Sequence, residues 1–284
     1  MPSRVKKAAG IGFCMGVRRA IDILEDVARQ RGGVETLGAV VHNQQVLCRL
    51  ADIGVKVVDN ADELQGEVVV ISSHGVGPQV IEHIKSRNIE VVDTTCTFVK
   101  RAQVAARRLA EAGFFTIVFG DATHPEVKGI LDWTGGKGMA MQDAAEFNKL
   151  ENMPRRLGLL SQTTQIPAAF ARFTKDIVDI ALVKDAELRI IDTICHDIRR
   201  RQADTLKLAE ESDLMLVVGG QTSANSRHLV ELCSKASETY LIQTAEDIKP
   251  EWFKDRQNIG VTSGASTDEQ TIDEVVARLK SLAA

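Results

Sequence analysis

Three stretches decide how this chain folds: GFCMGVRRAIDILED at residues 12–26, TTCTFVKRAQVAARR at 94–108 and TICHDIRRRQADTLK at 193–207. They align without gaps. Each has cysteine third (Cys14, Cys96, Cys195), then a basic pair four and five places later (Arg18-Arg19, Lys100-Arg101, Arg199-Arg200), then a run with helical spacing. Downstream of each lies an apolar run that ends in a polar cluster: AVVHN, VFGDATHPEV and VVGGQTSANS. The interval from Cys14 to His42, from Cys96 to His124 and from Cys195 to Ser223 is 28 residues every time. Agreement at that level marks an internal repeat, which has to be read before any single motif.

The repeat continues outward. A helical segment follows each polar cluster, then a short strand (VKVVD, GMAMQ, ETYLI) and an acidic turn (NADEL, DAAEF, TAEDI). A further apolar strand ends in a polar or glycine-rich turn: VVVISSHGV, RLGLLSQTT, IGVTSGAS. Short runs of Val, Ile and Leu suit strands buried on both faces, and the segments between them carry a 3.6-residue period, as in Val17, Ala20, Ile21, Leu24, Val27 and Ala28. Strand and helix alternate, which predicts α/β architecture with parallel sheets. The chain therefore divides into three pseudo-repeated α/β units, residues 1–94, 95–193 and 194–284, set about a pseudo-threefold axis. The strand before each cysteine can pair with either neighbouring sheet.

Composition narrows the function. Of 284 residues, 44 % are hydrophobic and 26 % charged, an ordinary globular balance. Lys+Arg 35 against Asp+Glu 39 leaves a net charge of −4, which argues against a nucleic-acid binder. No apolar run approaches the ~20 residues of a membrane span, and none follows the basic start long enough for a signal peptide. A cytoplasmic protein is expected. Five widely spaced cysteines without CxxC do not form a disulfide framework. Cys48 and Cys233, outside the repeat pattern, are assigned to the core as small hydrophobes.

In open α/β sheets ligands lie beyond the carboxyl ends of the strands, where the repeat puts Cys14, Cys96, Cys195, His42, His74, His124, Thr163, Ser223 and Ser266. Three convergent thiolates suit an iron–sulfur cluster, with one iron left open; a zinc site with dispersed ligands is the alternative. His42, His74, His124, Ser223, Asn225 and Ser266 offer donors at loop and helix starts, a setting for an anion. Glu126, two residues after His124, is the nearest carboxylate and a candidate proton donor. His83 and His228 read as ordinary structural histidines, and His196 as solvent-facing or supporting. GIGFCMG lacks GxGxxG spacing and GGKG at 135–138 lacks the Walker spacing, so no nucleotide or flavin site is expected. Electrons for a cluster then come from another protein.

The ordered motifs GFCMGVRRAI, VVHN, SHGV, DTTC, HPEVKG, SQTT, DTIC, SANS and GVTSGAS resemble the LytB/IspH family of 4-hydroxy-3-methylbut-2-enyl diphosphate reductases from about Gly12 onward. The resemblance implies an α/β trefoil around a central 4Fe-4S cluster, one per subunit, held by Cys14, Cys96 and Cys195. It implies diphosphate binding at His42, His74, His124, Ser223, Ala224, Asn225 and Ser266, with Thr163 in the active site and Glu126 as proton donor. The implied reaction is reductive dehydroxylation of an allylic diphosphate to isopentenyl and dimethylallyl diphosphate, with a ferredoxin- or flavodoxin-type donor. Three positions depart from the family pattern: Thr97 stands where proline is common, Ala224 where serine is, and Ile198 where threonine often is. They keep open a paralogue that reduces another phosphorylated allylic alcohol; a non-enzymatic iron–sulfur redox sensor is the alternative from another class.

Overall fold

A strand that is apolar at every position must be covered on both faces, and inner strands such as Val68–Ile71 and Leu214–Val218 are, whereas edge strands such as Glu187–Ile190 stay partly exposed. In the computed structural model, which describes residues 4–41, 43–149 and 154–283, Leu214–Val218 is buried throughout. Its Leu214, Leu216 and Val218 pack on Ile272, Val275 and Leu279. Met215 and Val217 point the other way, onto Leu208, Ala209, Leu229 and Cys233. The period of two thus divides one strand between two helical layers.

Among the described residues twelve strands form three parallel sheets. The first contains β2 (Val34–Leu37), β3 (Val55–Val58), β4 (Val68–Ile71) and β5 (Glu90–Asp93), in the order β3-β2-β4-β5. The second contains β6 (Phe115–Phe119), β7 (Gly138–Met141), β8 (Arg156–Ser161) and β9 (Glu187–Ile190), in the order β7-β6-β8-β9. The third contains β10 (Leu214–Val218), β11 (Glu238–Ile242), β12 (Asn258–Ser263) and β1 (Arg4–Lys7), in the order β11-β10-β12-β1. The three orders are the same. The strand before each cysteine joins the sheet of the preceding repeat, so β1, which leads to Cys14, lies against β12 with Arg4 opposite Asn258 and Lys7 opposite Val261.

The connections are the helices α1 (Met15–Arg31), α2 (Gln44–Asp52), α3 (Pro78–Ser86), α4 (Thr97–Glu111), α5 (Pro125–Asp132), α6 (Pro167–Val183), α7 (His196–Glu210), α8 (Ala224–Cys233) and α9 (Glu269–Ala283). In α1 the expected face is buried at Ala20, Ile21, Leu24 and Ala28. The second sheet is sandwiched in the same way, with Phe170, Phe173 and Ile177 of α6 on one side and Ala106 and Leu109 of α4 on the other. The acidic turns are short 3₁₀ segments at Ala61–Glu63, Ala144–Lys149 and Ala245–Asp247. No helix among the described residues is long and apolar enough to cross a membrane.

The chain forms two compact units. One comprises Met1–Ile21, Val41–Ile53 and His196–Ala284 and holds the third sheet; the other comprises Asp22–Val40 and Gly54–Cys195 and holds the first two. Cys233 is buried as expected, and burial pushes its thiol up to about 12. Cys48 is not in the core. The buried side of α2 is marked by Val46 and Leu50, and Cys48, two residues from each, is turned about 200° away at ~100° per residue; its thiol is exposed.

Candidate active site

The three repeat cysteines are fixed by one device used three times. The backbone N–H of Cys96 donates to Ser73 O, that of Cys195 to Thr163 O and that of Cys14 to Ala265 O, each at 3.0 Å. Each acceptor is the second residue beyond a strand end: β4, β8 and β12 respectively. Each cysteine also opens a helix. Cys96 is the N-cap of α4, while Cys14 and Cys195 immediately precede α1 and α7. At α1 the N–H of Val17 points at Cys14 Sγ, 3.5 Å away, so a free helix-end donor serves the sulfur. Cys14 and Cys96 are half-buried and Cys195 is buried.

Within the unit that contains β2–β9, contacts run without a break from Cys96 to Cys195. Ser73 holds Cys96, and the next residue, His74, sits edge-on to His124 with ring centroids 5.3 Å apart. His124 is the N-cap of α5, and its Nδ1 accepts from the N–H of Glu126 at 3.1 Å. In the neutral ring the proton is therefore on Nε2. Glu126, 2 % exposed, accepts from the backbone N–H of Thr163 at 2.7 Å on one oxygen and from the Thr163 hydroxyl at 2.9 Å on the other. Thr163 in turn accepts from the N–H of Cys195. Burial raises the Glu126 carboxyl to about 7, against the pull of the two Thr163 donors. His74, His124, Glu126 and Thr163, named from sequence, are thus linked in a chain, each to the next.

The other unit carries Ser223, Ala224, Asn225 and Ser266, all buried. Ser223 caps α8, its hydroxyl accepting from the N–H of Ser226 at 3.3 Å. The Nδ2 of Asn225, a residue 6 % exposed, has no hydrogen-bond partner among the described residues. A buried amide donor left unpaired is costly unless an acceptor arrives. The neighbouring turns are drawn in tightly. A Cβ placed on Gly219 or on Gly264 would lie 2.3 Å from the Ser226 hydroxyl, so a side chain at either position would have to displace that hydroxyl.

The 28-residue interval falls at a helix cap in the second and third repeats, where His124 and Ser223 stand. In the first repeat the cap is Asn43, whose Oδ1 accepts from Gln45 and Val46. Sequence reading passed over Asn43, although an Asn before a helical run is itself a cap signal. His42 lies outside the described residues. Counting from the strand ends, His74 and Ser266 correspond to Thr164, whereas Thr163 corresponds to Ser73 and Ala265. Thr97 is exposed at the start of α4, and Ile198 is buried in α7. Several of the basic residues after the cysteines are engaged: Arg18 with Glu269 at 2.7 Å, Lys100 with Asp93 at 2.8 Å, Arg200 with Asp197 at 2.9 Å. Among the described residues no three Cys, His, Asp or Glu side chains are gathered as a metal-binding set.

These features have close relatives. The LytB protein family matches residues 5–280. A 4-hydroxy-3-methylbut-2-enyl diphosphate reductase of Dehalococcoides mccartyi (strain CBDB1) is 59% identical over 281 residues, covering 99% of both chains. The reductase of the same description from Geobacter metallireducens is 40% identical over 272 residues, covering 95% of both. Two solved structures are similar. The E-1-hydroxy-2-methyl-but-2-enyl-4-diphosphate reductase from Plasmodium falciparum superposes with a TM-score of 0.91 at 25% identity, over 98% of this chain and 88% of that one. A structure described as (E)-4-hydroxy-3-methyl-but-2-enyl diphosphate reductase, the terminal enzyme of the non-mevalonate pathway, gives 0.71 at 32% identity, over 99% and 100%. Repeat, sheet order and full-length similarity lead to one assignment: the chain belongs to the LytB family.

Proposed function

We propose that this chain is a 4-hydroxy-3-methylbut-2-enyl diphosphate reductase, an oxidoreductase that converts (E)-4-hydroxy-3-methylbut-2-enyl diphosphate to isopentenyl and dimethylallyl diphosphate. The observation that carries the reading is the buried Glu126–Thr163 pair at 2.7 and 2.9 Å, inside a chain 59% identical to a reductase of that name. A redox sensor has no use for a buried carboxyl that holds its proton to about pH 7. The three repeats, residues 1–94, 95–193 and 194–284, each contribute one cysteine.

Cys14, Cys96 and Cys195 are the proposed ligands of one 4Fe-4S cluster per chain. The donor set fits: three thiols at helix starts, each held by the same 3.0 Å backbone bond. When bound, the cluster supplies electrons and a Lewis-acidic site for the alcohol oxygen. The chain's own residues do the rest. His42, His74, His124, Ser223, Asn225 and Ser266 bind the diphosphate. Asn225 gives its spare donor to a phosphate oxygen, and Ala224 offers a free backbone N–H at the start of α8. Glu126 holds its proton up to about pH 7, and the Thr163 hydroxyl holds that carboxyl in place. Overall, two electrons and two protons replace the hydroxyl by hydrogen and release water. The electrons come from an acidic donor of ferredoxin or flavodoxin type. A cytoplasmic setting accords with five free thiols.

Anaerobic turnover of the hydroxylated diphosphate with a reduced viologen, with product analysis, tests the reading. Isopentenyl and dimethylallyl diphosphate are expected together. Turnover of a different phosphorylated allylic alcohol with none of this one would assign the chain to a paralogue; an iron-containing but inert protein would make it a sensor.

A further inference from the structure

The three cysteine loops are not built alike. In two of them the residue three places before the cysteine is aspartate, and that carboxylate folds its own loop. Asp93 Oδ1 accepts from the N–H of Thr95 at 2.9 Å and from its hydroxyl; Asp192 Oδ1 accepts from the N–H of Ile194 at 3.1 Å. Before Cys14 the same position is Ile11, which has no such group. This loop bends instead at Gly10 and Gly12, both at positive φ, and glycine there lets the chain turn without fixing how far.

What the loop has in addition is Arg201. It stands on α7, 7 % exposed, with Nε on Asp197 at 3.0 Å, Nη1 on Gly12 O at 2.6 Å and Nη2 on Phe13 O at 3.1 Å. The corresponding positions on the helices after Cys14 and Cys96 are Ala20 and Ala102, both fully buried. At this helix position the guanidinium is present only in the copy that braces the loop lacking an aspartate; Arg101 on α4, exposed and one place nearer its own cysteine, gives the Cys195 loop a single bond, Nη2 to Asp192 O at 2.7 Å, and spans no pair of carbonyls. Two successive carbonyls gripped by one planar fork fix two successive peptide planes, and so the direction from which Cys14 leaves the chain. Asp197 neutralises the buried charge, without which the fork would be costly to bury. The N–H groups of Gly12 and Cys14 are tied separately, to Ser263 Oγ at 2.9 Å and Ala265 O at 3.0 Å. We propose that Arg201 is a positioning residue that aims Cys14, doing for its loop what Asp93 and Asp192 do for the loops of Cys96 and Cys195. The inference rests on the reading above that Cys14 is a cluster ligand.

The test is iron release from the anaerobically purified holoprotein to an excess of chelator, followed by the loss of cluster absorbance. Arg201→Met is expected to release iron at least about tenfold faster than wild type, because a ligand with a free loop exchanges more readily. Arg201→Lys, which keeps the charge but puts all its donors on one nitrogen and so loses the fork, is expected to fall between the two. Thr205→Val, on the same helix as Arg201, is the control: it removes a buried hydroxyl pair with Thr262 of β12 (2.8 Å) without touching the loop, and should release iron at close to the wild-type rate. Wild-type release from Arg201→Met, or equally fast release from Thr205→Val, would overturn the proposal. Should Arg201→Met fail to fold, Arg201→Lys decides alone, with unchanged release the overturning result. Cys14→Ser in parallel separates the two levels. Full iron content there would remove Cys14 as a ligand, whereas iron loss there with a stable Arg201→Met removes only the brace.

Discussion

At Glu126 burial and hydrogen bonding pull the same carboxyl in opposite directions, and burial prevails, to about 7. A carboxyl whose folded pKa is raised keeps its proton below that value, so it donates best at and below neutrality and stops as pH climbs through about 7. The kcat of the wild type should fall across that range in steady-state assays. Glu126→Gln, which has no proton to release, should lose about 10²–10⁴-fold in kcat with little change in KM and show no such titration. Stability follows the same linkage. The proton-bound form favours the folded chain, and that contribution is lost as pH rises from the ordinary carboxylate range through about 7. Between about pH 5 and about pH 8 the Tm of Glu126→Gln should therefore decline less than that of the wild type. An equal decline in both would mean that Glu126 does not titrate there.

At the scale of one element, α8 concentrates the features of an anion site: the Ser223 cap, the buried Asn225 amide and free N–H groups at its start. Ala224 is the one residue of SANS that brings only backbone. Ala224→Ser would add a hydroxyl at a buried position beside these donors, worth about 1.5–3 kcal/mol if it reaches a charged oxygen. KM for the diphosphate should then drop about tenfold or more; a rise would show the hydroxyl to be crowded out. Such elements were legible in the sequence where a local rule fixes a side chain. The 28-residue interval located His124 and Ser223 because both are helix caps, and a cap has a fixed offset from the strand before it. Cys48 was misjudged because its helical position was read without its phase relative to Val46 and Leu50. Arg201 was hidden for a different reason. The repeat draws attention to the shared pair Arg199-Arg200, and only the third dimension shows the next residue, Arg201, buried on the carbonyls of residues 12 and 13. A repeat makes what its copies share easy to see, and for the same reason it obscures what one copy does alone.

For the whole molecule, the sequence predicted three parallel sheets but not which of them would take the strand before each cysteine. Parallel neighbours need no tight turn, so no local signal names the partner. β1 is the clearest case, since it completes a sheet whose other strands begin at Leu214. Its Val5 packs against the core of that sheet. Removing residues 4–7 should expose the free edge of β12 and loosen the unit that contains it, while the sheets of β2–β9 keep their protection. Amide hydrogen exchange resolves the two regions; uniform loss of protection would show that the units unfold as one.

The pairing of β1 with β12 also has a consequence in time. During synthesis β1 is made first, and its partner follows some 250 residues later. At about 5–20 residues per second that is a wait of roughly 10 to 50 seconds. Through that whole interval the Cys14 loop, which hangs between β1 and α1, has no Ala265 to hold it, and for most of it no Arg201 either. The sheets of β2–β9 can close on the growing chain, whereas the first cysteine becomes ordered only when the last strand has emerged. A nascent chain stalled before Asn258 should accordingly have an ordered Cys96 and a Cys14 thiol still open to any alkylating reagent.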